Sequence, residues 1–228
     1  VATQREPTAG HRIPLSRQRV LEAAVAIADE GGVKSLTMRR LAERLGVEAM
    51  SLYHHVRNKE DLLDGVVDVV AGEINDVVDR AGTSPDGSEW KKAMRVRILT
   101  AREVLLRHPW APAVFETRTA ISLAVVKYHD GLVGLMRAGG FSYDRIHHAL
   151  HALGSRALGF SQELFNPGGG GGDLPDGMAD QLPNLVAMLG AVAHDDPGST
   201  LGWCDDQIEF EFALDLILDG LDRRRGSD

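Results

Sequence analysis

An all-α fold, in which a small head of three short helices precedes a larger helical body, is predicted by three observations. Apolar residues recur at three- and four-residue spacing in segment after segment. Between Leu36 and Lys59 two short helical stretches meet at a single glycine, Gly46, as in a helix-turn-helix. Charge is divided along the chain: residues 1–59 hold ten Lys and Arg against six Asp and Glu, a net +4, and the remainder nets −12 of the overall −8. A basic head on an acidic body is the asymmetry expected when one small domain meets phosphates and the rest must not.

The 228 residues suffice for one large or two small domains with a sizeable core. A lone cysteine, Cys204, excludes an internal disulfide framework and fits a reducing compartment. No apolar run approaches the roughly 20 residues of a membrane span, and Val1 to Pro14 lacks a signal peptide's apolar segment. A soluble, cytoplasmic protein with no membrane partner is expected.

Taken in order, residues 1–14 show no periodicity and are expected to form a disordered arm, from which Arg5 and Arg12 could reach DNA or serve no role. Ser16 can cap the first helix, with Leu15 and Val20 as its staple; Val20, Leu21, Ala24, Val25 and Ala28 share its inner face, and Gly31-Gly32 ends it. Thr37 can cap the second, with Leu36 and Leu41 as staple, Leu41, Ala42 and Leu45 inward and Gly46 closing it in a left-handed turn. The third, from about Glu48 to His55, turns Leu52 and Val56 inward and Ala49, Met50, Ser51, Tyr53 and His54 outward, where they suit a DNA major groove. Asn58 can cap a fourth helix beginning at Lys59, with Asp61 as its reciprocal acid and Lys59 where a phosphate would lie. Leu62, Leu63, Val66, Val67, Val70 and Ile74 line that helix, which is long enough to act as a lever between head and body.

The stretch Leu-Thr-x-Arg-x-Leu-Ala, then Leu-Gly-Val, then Leu-Tyr-x-His-Val-x-Asn-Lys resembles the DNA-binding domain of the tetracycline-repressor (TetR) family. The resemblance implies that Thr37, Tyr53 and Lys59 meet phosphates and that Arg39, Ala49, Met50, Ser51 and His55 lie at or near base edges; Met38 and His54 complete the expected interface. Arg39, whose fork can bond a guanine at two atoms, is the leading base reader. The plainer alternative for Tyr53 and His54 is that they cover the head's core. Tetracycline-responsive members carry Gln-Pro where this chain has Ala49-Met50, so a different operator sequence is expected.

In the body, residues 81–88 are turn-rich, and Trp90 to Arg107 is helical through Ala93, Met94, Ile98, Ala101 and Leu105, stopping at His108-Pro109. A run from about Arg118 to Ala138 ends at Gly139-Gly140, and Ser142 opens another with Ile146, Leu150, Leu153, Ala157, Leu158, Phe160 and Leu164 inward. Gly168 to Gly172 lacks the Lys-Ser or Lys-Thr of a phosphate loop and reads as a flexible connection. The last helix, Asp205 to Arg223, is apolar on Ile208, Phe210, Phe212, Leu214, Leu216, Ile217 and Leu218, too broad a surface for one neighbour. This suggests a homodimer built on a shared helical bundle, and with it a palindromic operator, the plainer alternative being a monomer whose final helix packs wholly within the body.

The stretch Leu105 to Arg118 resembles the ligand-binding domain of the same family, which implies domains at 15–60 for DNA and 61–228 for ligand binding and dimerisation. The resulting expectation is a repressor that binds double-stranded DNA and is released by a small-molecule effector. Arg97, Phe115, Arg118, Tyr128 and His151 are candidate pocket residues, although each could be core or surface and the arginines could simply pair with acids. Val114 stands where tetracycline-binding members place a histidine that ligates magnesium. The alternative from another class is a metal-responsive regulator or metalloprotein using His147 and His151, four apart with His148 beside them. No His-Glu-x-x-His, Gly-x-Ser-x-Gly or dinucleotide fingerprint is present, so neither enzymatic activity nor a cofactor is expected.

Overall fold

The computed structural model describes residues 14–82, 89–159, 183, 184, 187 and 206–226. Arg5, Arg12, Phe160, Leu164, Gly168 to Gly172, Cys204 and most of the 81–88 stretch lie outside the described residues, as do the side chains of Ala157 and Leu158. Among the described residues the fold is all-α and without strands. The helices are α1 (Arg17–Gly31), α2 (Met38–Leu45), α3 (Ala49–Leu52), α4 (Lys59–Ala81), α5 (Trp90–Arg107), α6 (Ala111–Thr117), α7 (Leu123–Ala138), α8 (Tyr143–Gly159) and α9 (Asp206–Arg223), with one 3-10 turn at Val33–Ser35. They form two compact units, Val1–Gly82 with Thr100–Gly131, and Thr83–Leu99 with Leu132–Asp228.

Caps and glycines set the helix ends of the first unit. The Ser16 hydroxyl accepts the Arg19 N–H at 3.3 Å, Thr37 accepts that of Arg40 at 3.1 Å, and Asn58 accepts that of Asp61 at 2.8 Å. Each satisfies a donor that a helix start leaves open, worth about 1 kcal/mol. Gly32 and Gly46 end α1 and α2 at φ 71° and 66°, a left-handed backbone that a Cβ would strain. Val20, Leu21, Ala24, Ile27, Leu36, Leu41, Leu52 and Val56 close the head, and Leu62, Leu63, Val66, Val67, Val70 and Ile74 of α4 continue the same buried cluster. Leu45 is only half-buried at its edge. The cluster extends through Ala101, Val104, Trp110, Ala111 and Val114, so α4 is sandwiched between α1 and α6.

Three local expectations need correction. The helix expected from Glu48 to His55 is α-helical only over Ala49–Leu52. It continues as tighter i to i+3 turns, with Tyr53 N–H on the Met50 carbonyl and His55 N–H on that of Leu52, because Val56 must turn inward before Asn58 caps α4. The run expected from Arg118 to Ala138 is helical only over α7, Leu123–Ala138, and is preceded by α6, Ala111–Thr117, a separate short helix that was not expected. Arg118 is extended, and the Ser122 hydroxyl accepts the Val125 N–H at 3.2 Å as the new helix start. Asp61 reaches back not to Asn58 but to the Arg57 N–H, at 2.7 Å.

In the second unit Trp90 packs edge-on against Phe141, with ring centroids 4.6 Å apart, and its indole N–H donates to Asp222 on α9. Arg95 spans Glu211 and Asp215, and Lys91 pairs with Asp219, so α5 is strapped along α9. Phe210, Leu214 and Leu218 are buried on α9, whereas Ile208, Phe212 and Leu216, four apart, stay 56–63% exposed.

Candidate nucleic-acid interface

The head presents a row of side chains over a frame of fully buried apolar residues. Leu36, Leu41, Leu52 and Val56 are at most 1% exposed and hold α2 and α3 as a unit. On the outer side Met50 is 73% exposed, and Arg39, Tyr53, His54 and Lys59 are also exposed. Ala49, Ser51 and His55 are half-buried on the same short segment. Tyr53 and His54 therefore point to solvent rather than covering the core. Met38 is half-buried and packs against the core cluster, so its side chain contributes more to the frame than to the row. The Thr37 hydroxyl spends an acceptor on the α2 cap and keeps its own O–H as a donor.

Arg39 projects from α2 with 89% of its side chain exposed, its Nε donating to Glu43 at 2.9 Å one turn on. That hydrogen bond and the nearby carboxylate raise its pKa. Lys59 is the first residue of α4 and is exposed. Arg40 and Arg44 are tied to Glu30 of α1, at 3.6 and 2.6 Å.

Two polar arrangements escaped sequence reasoning. Arg17 of α1 donates from Nη1 to the His55 carbonyl at 2.7 Å and from Nη2 to Asp61 Oδ1 at 2.9 Å. The Arg17 hydrogen bond, then that from the Arg57 N–H, holds the Asp61 pKa down to about 2. His108, 6% exposed, has Nδ1 2.7 Å from Asp29 of α1 and Nε2 3.1 Å from Glu73 of α4. Trp110 also donates to Asp29 at 2.7 Å, and Arg107 pairs with Glu73. Burial pushes the Glu73 carboxyl up, but the hydrogen bonds from Arg107 and His108 outweigh it, leaving its pKa below the ordinary value. These partners stand 44, 79 and 35 positions apart, so no local pattern announces them.

The candidate pocket residues divide between the units. Phe115 and Tyr128 pack against the first unit's core, where Val114 is buried. Arg118, also in that unit, pairs with Glu60 and Asp64 of α4, as the plainer reading of that arginine anticipated. Arg97, buried, and His151, exposed, belong to the second unit. A residue not anticipated is Asn75 of α4, 3% exposed. Its Nδ2 donates to the carbonyls of Ala71 and Ala124 at 3.0 and 2.8 Å, while its Oδ1 has no hydrogen-bond donor among the described residues. The signal was legible: a lone amide on the apolar stripe of α4, between Ala71 and Val78. His147 and His151 lie with ring centroids 4.6 Å apart. Among the described residues no group of three or more His, Cys, Asp or Glu side chains is disposed to hold a metal.

Comparison with known proteins adds the following. The family model for bacterial regulatory proteins of the tetR family matches residues 20–66, and that for the tetracyclin repressor-like C-terminal domain matches residues 83–225. The transcriptional repressor DrrR1 of Streptomyces coeruleorubidus is 30% identical over 239 residues, covering 98% of this chain and 85% of that protein. A helix-turn-helix-type transcriptional regulator of Saccharopolyspora erythraea is 35% identical over 127 residues, 56% of this chain and about half, 51%, of that protein. Among solved structures, the Streptomyces coelicolor TetR family protein ActR in complex with actinorhodin superposes with a TM-score of 0.73 at 26% identity, over 94% of this chain and 100% of that one.

Proposed function

The chain belongs to the TetR family of DNA-binding transcriptional regulators, and from that membership we propose that it is a cytoplasmic repressor that binds a palindromic operator as a homodimer and leaves it when a small molecule binds. The observation that carries the reading is the exposed row Arg39, Met50, Tyr53, His54 and Lys59 on a buried frame in the basic end of an acidic chain. Arg39 and Met50 read base edges, the first as a bidentate donor to guanine and the second as an apolar contact to a thymine methyl. Thr37, Tyr53 and Lys59 meet phosphates, and Ala49, Ser51 and His55 complete the reading segment. Residues 15–60 serve DNA, and residues 61–228 serve ligand and partner.

The homodimer is supported by α9, whose outward Ile208, Phe212 and Leu216 form a continuous apolar stripe opposite its buried one. Two such stripes covering each other would make a two-fold dimer, and a two-fold dimer reads a palindromic operator. Ligand release is supported by Asn75, a buried amide whose oxygen has no donor among the described residues, on the helix that also begins at the DNA contacts. The similar protein ActR binds actinorhodin, and an organic molecule bearing a hydrogen-bond donor would suit the Asn75 oxygen here. Such a molecule acts only by preferring the shape that does not fit the operator. No observation favours the metal-responsive reading over this one.

The test is a gel shift of the purified protein on the DNA flanking its own gene, at about 0.15 M salt, with random DNA as competitor. Binding roughly 10³-fold or more above random DNA is expected; equal affinity for both would overturn the proposal.

A further inference from the structure

The reading segment is too short to orient itself. An isolated helix of four residues has no stability of its own, so the direction of α3 is imposed by the burial of Leu52 and by contacts at its ends. At its front the chain is set by the Gly46 turn, with the Val47 N–H on the Ala42 carbonyl at 3.1 Å. Its back is packed into the core through Leu52 and Val56, and one side chain fixes its last carbonyl. The Arg17 guanidinium gives one N–H to the His55 carbonyl, at 2.7 Å, and reaches Asp61 with both Nη atoms, at 3.3 and 2.9 Å. Asp61 in turn accepts the Arg57 N–H at 2.7 Å and sits in the first turn of α4, two residues after Lys59. One planar group thus joins the start of α1, the end of the reading segment and the start of α4.

We propose that Arg17 is a positioning residue for sequence recognition: its fork sets the reading segment against the first turn of α4 without itself touching DNA. The geometry requires an arginine, because a lysine ammonium has neither the span nor the fixed fork to serve a carbonyl and a carboxylate together. Asp61 is only 11% exposed at its side chain, so the pair is anchored on the protein side while Arg17, at 45%, remains near the surface. The competing role for a surface arginine at this place is a phosphate contact, and the two roles differ in what they change. A phosphate contact contributes to every sequence and to the salt dependence, whereas a positioning residue contributes to discrimination.

The inference rests on the DNA-binding function proposed above. The test uses the full chain and a duplex that the unaltered protein selects from a random-sequence pool, compared with a scrambled duplex across a range of salt. Arg17→Ala is expected to lower the ratio of selected to scrambled affinity roughly tenfold or more while leaving the slope of log affinity against log salt unchanged. Arg17→Lys is expected to leave the ratio low, and Asp61→Asn to reproduce the loss, with no further loss when Arg17→Ala is added. Thermal melts identify any variant that fails to fold, and Arg17→Lys supplies the comparison if Arg17→Ala does. A uniform loss on both duplexes with the slope reduced by about 0.9 would make Arg17 a phosphate ligand and overturn the proposal. Full rescue by lysine would overturn it too. If the unaltered protein selected no sequence, the DNA-reading function itself would fail, and positioning with it.

Discussion

Asp61 receives hydrogen bonds from both Arg17 and the Arg57 backbone, so its charge is worth more in the folded head than in the unfolded chain. With its pKa lowered to about 2, the stabilisation is fully present above the ordinary carboxylate range and is lost as pH falls toward 2. After allowance for solvent screening of the surface arginine, the effect is about 1–2 kcal/mol. Urea unfolding near neutral pH should show Asp61→Asn less stable than the unaltered protein, and the difference should vanish near pH 2; a gap that persisted would place the effect elsewhere. At Arg39 the prediction concerns binding. Arg39→Ala should cost roughly tenfold or more on a selected duplex and much less on random DNA, measured by fluorescence anisotropy. Unchanged affinity on both would remove Arg39 from the reading face.

Among the helices, those with a cap and a glycine stop were legible, α2 included, and α6, which has neither, was not. The caps Ser16, Thr37 and Asn58 and the stops Gly32 and Gly46 act within four residues, so spacing alone exposes them. The seven residues of α6 offer only Ala111 and Val114 as buried anchors, too few to show a period, and the helix forms because Trp110 and those anchors enter a core built by α1 and α4. His108 lies just before it and bridges those same two helices through Asp29 and Glu73. Replacing it with phenylalanine should destabilise the protein by about 1–3 kcal/mol in chemical denaturation, because Asp29 and Glu73 each lose their imidazole partner while retaining Trp110 and Arg107. No loss of stability would mean that the bridge contributes little.

For the whole molecule, the outer stripe of α9 carries the prediction. Phe212→Asp places a charge in the centre of that stripe, far from any side chain of the DNA row in sequence, and sedimentation should show a dimer become a monomer. Dimers that persisted would mean that another surface joins the copies. The sequence by itself determined the all-α class, the head and its exposed row, because caps, glycine turns and apolar spacing act locally and leave a local record. It also carried the family signature, which ends in Asn58 and Lys59. Tertiary structure alone decided that α3 would stop after four residues, that Arg17 would grip Asp61, and that His108 would join α1 to α4. Each of these depends on which distant side chain arrives beside it once the apolar surfaces have closed, and hydrogen bonds between such groups leave no period in the chain.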